Sequence, residues 1–212
     1  MTATIVHRPT PVARRARTGA VGGAMWALLP VAWGLVSLED TEYGSPQFVA
    51  VAAAFWLFGV LPPVLLVAGH LALRDALDGD AGRVGRVGIV TAATGLAAMA
   101  LGNGIEIASL SAGGDTVDWG HAIFLGGFLV SIAGALFVGI TVIRRRRDGA
   151  SRTAGWLLAF ALPLGIAIGF VGSLVWPEND GAFFAAITVP TGVAWLVLGQ
   201  SLTAERSPSA TE

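Results

Sequence analysis

The chain has 212 residues, 54% hydrophobic and 13% charged, where a soluble domain carries about 25% charge. Its formal net charge is −1 and it has no cysteine, which excludes disulfides, thiolate metal sites and cysteine nucleophiles. Long apolar runs with so little charge point to a polytopic all-α membrane protein rather than a soluble core. All thirteen basic residues are Arg, and with abundant Ala and Gly this composition suggests a GC-rich bacterial genome.

Residues 1–19 form a basic tail with Arg8, Arg14, Arg15 and Arg17 and no acid. The Arg14-Arg15 pair raises an export signal as one reading. The apolar run that follows is longer than a signal core and ends in no A-x-A-like cleavage site, so it reads as a retained first span. Six apolar segments of membrane-crossing length are predicted, at about 20–38, 48–73, 87–110, 121–143, 154–176 and 182–203, followed by a tail at 204–212. The loops are short, so successive helices are expected to be antiparallel neighbours in an up-down bundle.

Every Arg falls in the N-terminal tail, the 74–86 loop, the 144–153 loop or the C-terminal tail. The other three loops hold no Arg and carry Glu39, Asp40, Glu42, Asp115, Asp118, Glu178 and Asp180. The positive-inside rule then puts both termini in the cytoplasm of a bacterial inner-membrane protein, with the acidic loops outside. Trp119, Trp156 and Trp176 are expected at the interfaces, where indoles settle. Trp26, Trp33, Trp56 and Trp195 are expected deeper. Pro30, Pro62-Pro63, Pro163 and Pro190 interrupt four spans, with the paired prolines expected to bend the second helix most.

The third span draws the most attention. It contains Glu106, the one acid inside any span. On a helical wheel Glu106 lies in line with Gly88, Gly95 and Met99, flanked by Ala92, Gly102, Asn103 and Ser109, with the bulky side chains turned away. A helix face of small residues permits close approach in lipid, so this span is expected at the packed centre of the bundle. Gly127, Ser131 and Gly134 make a similar stripe in the fourth span, and Gly165 and Gly169 in the fifth.

A carboxyl group in hydrocarbon is costly, up to about 3.5 kcal/mol at mid-membrane on insertion scales, and such groups often mark a site. Glu106, Asn103, His121, Asp118 and Ser109 are therefore a candidate polar site at the outer end of the bundle. A hydrogen bond or ion pair between His121 and Glu106 lowers the burial penalty of both and is the favoured arrangement. Zinc held by Asp118, His121 and Glu106 is disfavoured because no spaced ligand motif is present. Haem between His70 and His121 is disfavoured because the two lie at opposite membrane faces. No metal or cofactor is expected. Arg144, Arg145, Arg146, Arg147 and Arg152 are placed to meet anionic lipid, although topology alone explains them. Nothing supports a nucleic-acid partner.

No nucleophile elbow, P-loop or dinucleotide fingerprint occurs. The first reading is a non-enzymatic subunit or scaffold, with membrane lipid, a second copy or another membrane protein as partner. A small transporter with its site around Glu106 is the alternative, and an outer-leaflet lipid-modifying enzyme ranks third.

Overall fold

The computed structural model describes residues 10–35, 41–77, 79–175 and 181–205. His7, Arg8, Glu39, Asp40, Trp176, Glu178, Asp180 and Arg206, and the side chain of Trp33, lie outside the described residues. The helices are α1 (Pro11–Leu35), α2 (Pro46–Leu77), α3 (Gly82–Ser111), α4 (Asp118–Arg145), α5 (Gly149–Val175) and α6 (Gly181–Ala204). The helices α2 to α6 are long and apolar enough to cross a membrane. The apolar run that α1 carries continues in the sequence to residue 38, beyond the described part of the chain. Most helices outrun their predicted spans. Helix α1 starts at Pro11, inside the stretch read as tail, because Pro at the first helical position has no N–H to leave unpaired.

Each helix packs on its chain neighbours, and α1 packs on α6, so the six form a closed ring. Salt bridges and close approaches show which ends coincide. Arg15 of α1 meets Asp75 of α2 at 2.9 Å, and Arg146, just past α4, pairs with Glu205, just past α6. The start of α1, the 79–81 turn, the 146–148 loop and the end of α6 therefore share one end. The Glu42, Asp115 and Asp118 segments lie at the other.

The tightest contact joins α3 and α4. Gly88, Gly95 and Gly102 recur every seven residues on α3, and Gly120, Gly127 and Gly134 do so on α4. A seven-residue repeat keeps one seam facing its partner along the whole contact. A Cβ on Gly88 would stand 2.7 Å from Phe137 Cβ, and one on Gly127 would stand 2.7 Å from Gly95 O. Backbone thus lies directly on backbone. Gly165 and Gly169 of α5 act differently, leaving room for the side chains of Ile187 and Phe183 of α6.

Helix α3 is not the central rod expected from its slim face. It stands in the wall of the ring, with Val84, Val87, Val90 and Leu101 50–60% exposed on its outer side. The centre is instead filled by large side chains from several helices, including Trp26, Phe128 and Trp195. Trp119, Trp156 and Trp56 are exposed, whereas Trp26 and Trp195 are buried. The small seam gathers two neighbouring helices, and ring closure decides what reaches the middle.

Pro62 and Pro63 do not end α2. Lacking N–H groups, they cannot bond the carbonyls of Phe58 and Gly59, and the preceding turn, Trp56–Val60, widens into a π-helical one in which Leu61 N–H reaches Trp56 O. The helix continues to Leu77.

Candidate functional site

Glu106 and His121 meet across the α3–α4 hairpin, with Nδ1 of His121 3.0 Å from Oε1 of Glu106. Space for the carboxylate comes from Gly120, where a Cβ would stand 3.4 Å from Glu106 Cγ. A carboxylate oxygen only accepts, so His121 donates through Nδ1. The Glu106 side chain is 13% exposed and that of His121 54%, so the imidazole covers the acid from outside. The pair joins two helices, with one side open to the surroundings.

The other three residues of the predicted site go elsewhere. Asn103 is buried one turn below Glu106 and faces α2, its Nδ2 lying where a Cβ of Gly59 would sit in the widened turn. That Nδ2 is buried without a hydrogen-bond partner, beside a turn where the prolines withdraw two donors. The Ser109 hydroxyl donates to the Asp115 carbonyl at 2.8 Å and so closes the hairpin loop. Asp118 is exposed in the first turn of α4, where a negative charge complements the helix dipole. Among the described residues no group of three or more His, Asp or Glu side chains gathers as metal ligands would.

At the opposite end, Arg144, Arg145, Arg147 and Arg152 are exposed. Arg146 is not part of that open set. Its side chain is 11% exposed and holds Glu205 through both carboxylate oxygens, with Nη1 3.0 Å from Oε2. Asp148 caps α5 by accepting the Ser151 N–H at 2.7 Å. Partial burial pushes the Asp148 carboxyl up, but the Ser151 hydrogen bond and neighbouring Arg146 outweigh it and hold the group below the usual carboxylate range.

Two polar positions in the middle of the ring lie outside the predicted site. Trp26 Nε1–H donates to Thr191 Oγ1 at 3.0 Å and ties α1 to α6. His70, expected at a helix end beside Arg74, lies inside α2 and is 2% exposed. Its signal is periodicity: Leu66, Gly69, His70, Leu73 and Leu77 make the buried stripe of α2, so position 70 belongs to the inner face.

No protein-family model matches the chain, and no curated protein or solved structure is significantly similar to it.

Proposed function

We propose that this chain is a six-span protein of a bacterial inner membrane, with both ends cytoplasmic, serving as a non-enzymatic subunit or scaffold of a membrane complex. One observation carries the reading: three polar side-chain pairs join this chain's own helices. Glu106 with His121, Trp26 with Thr191, and Arg146 with Glu205 each link two elements. Exposed Phe160, Ile166, Phe170 and Leu174 meanwhile present α5 as an apolar outer face suited to lipid or a partner helix. Native mass spectrometry of gently extracted protein tests it, with a second copy or a stoichiometric partner expected. A monomer carrying nothing but lipid refutes it. The orientation is tested with an impermeant maleimide on intact cells, because the chain has no cysteine. Asp115→Cys is expected to label and Arg147→Cys not to; the reverse pattern inverts the topology.

A second reading, a small transporter, draws support from the unpartnered Asn103 amide at the proline-widened turn. Interrupted helices with polar groups are where transporters place their sites. Proteoliposome flux decides it: transport by Glu106→Gln equal to that of the unaltered protein removes Glu106 from the site.

A further inference from the structure

Inside the ring, residues of α1, α2, α3, α4 and α6 enclose a cavity of about 30 Å³. Its polar lining comes from His70, Ser131 and Thr191, and Trp26 and Trp195 are among its other lining residues. Proton placement there follows from the hydrogen bonds. His70 Nδ1 lies 2.9 Å from the Leu66 carbonyl oxygen. A carbonyl oxygen has no proton to give, so Nδ1 carries one, and in the neutral ring Nε2 is a bare lone pair. That Nε2 is buried and has no protein partner.

The neighbouring hydroxyls are likewise committed. Ser131 donates to the Phe128 carbonyl at 2.7 Å and Thr191 to the Ile187 carbonyl at 2.6 Å, while the Trp26 N–H is already given to Thr191. What these side chains have left for the cavity is acceptor capacity: lone pairs on one nitrogen and two oxygens. A buried water needs roughly 10–15 Å³ of such volume and two or more polar partners. The cavity therefore has room for one or two water-sized molecules and excludes an organic solute.

We propose that this cavity is a binding site for a water-sized hydrogen-bond donor, held by Nε2 of His70 with Ser131 Oγ or Thr191 Oγ1 as the second acceptor. Water and the ammonium ion share that size and chemistry. Water satisfies two lone pairs with its two protons. Ammonium satisfies more, against the penalty of burying a charge. The proposal depends on neither functional reading above.

The test is magic-angle-spinning NMR of the full chain in lipid bilayers with ¹⁵N-labelled histidine. The chain has three histidines, so His7→Gln and His121→Gln assign the remaining pair of signals to His70. A protonated Nδ1 and an unprotonated Nε2 that receives magnetisation from water protons are expected, and Ser131→Ala with Thr191→Val should weaken that transfer several-fold. If the Nε2 resonance shifts when ammonium chloride, but not sodium chloride, is added, the occupant is ammonium; if it stays fixed with water transfer intact, the occupant is water. A protonated Nε2, or an Nε2 silent to both water and ammonium, overturns the proposal.

Discussion

Gly126 and Gly127 are adjacent on α4, and the same substitution at each is expected to act in opposite directions. A Cβ at Gly127 would meet Met99 N, Gly95 O at 2.7 Å and Met99 Cα at 2.9 Å, while a Cβ at Gly126 would have no neighbour within 4 Å. The obstructing atoms at Gly127 are backbone, so no rotamer change relieves the overlap and α3 must move away by several tenths of an ångström. A gap of 0.5–1 Å forfeits a quarter to a half of each dispersion contact along the seam. Overpacking of this kind costs about 1–3 kcal/mol. Alanine's helix preference over glycine, up to about 1 kcal/mol, applies to both variants and cancels in their comparison. Gly127→Ala should therefore be less stable than Gly126→Ala by about 1–3 kcal/mol, or about 2–12 °C at 2–4 °C per kcal/mol for a chain of this size. Thermal unfolding of both variants in one detergent, followed by tryptophan fluorescence, reads the difference directly. Equal midpoints, or a Gly127→Ala protein that melts higher, refute the backbone-on-backbone seam.

Thr191→Val should destabilise by about 1–3 kcal/mol, since it strands the Trp26 N–H in the interior. A cycle with Trp26→Phe should return a coupling of about 0.6 kcal/mol and no more than about 1.7 kcal/mol, measured by denaturant unfolding. Asp148→Ala should cost about 0.5–2 kcal/mol through loss of the α5 cap. Because the folded Asp148 carboxyl titrates below its ordinary range, its contribution is complete above about pH 3.9, its unfolded value. It declines as pH falls from there through the lowered folded value, so the stability gap between parent and variant should be flat from neutrality down to about pH 3.9 and then close. Arg146→Ala should lower stability by about 1 kcal/mol, its partner Glu205 being half exposed, whereas Arg147→Ala should stay within about 0.5 kcal/mol of the parent in the same melts.

The candidate site was legible in parts. That Glu106 needs a partner, and that His121 stands nearest across the hairpin, follows from burial cost and loop length, and the two are 3.0 Å apart. Asn103 and Ser109 share a wheel sector with Glu106, but sector membership does not say which neighbour each meets. The widened turn before Pro62 brings Gly59 against Asn103, and the α3–α4 loop folds back on Ser109. Arg146 was indistinguishable from its three Arg neighbours until the end of α6 arrived beside it.

Helix number and length, antiparallel order and the small-residue faces are local properties, set by apolar runs, loop lengths and side-chain size, and they can be read along the chain. Which faces meet depends on the closing of α1 onto α6, a contact between segments some 170 positions apart. That closure moved α3 from the expected centre into the wall and drew His70 inside. Neither outcome is encoded in any single window, because a helix with two packable faces has no local reason to choose between a partner beside it and the middle of the ring.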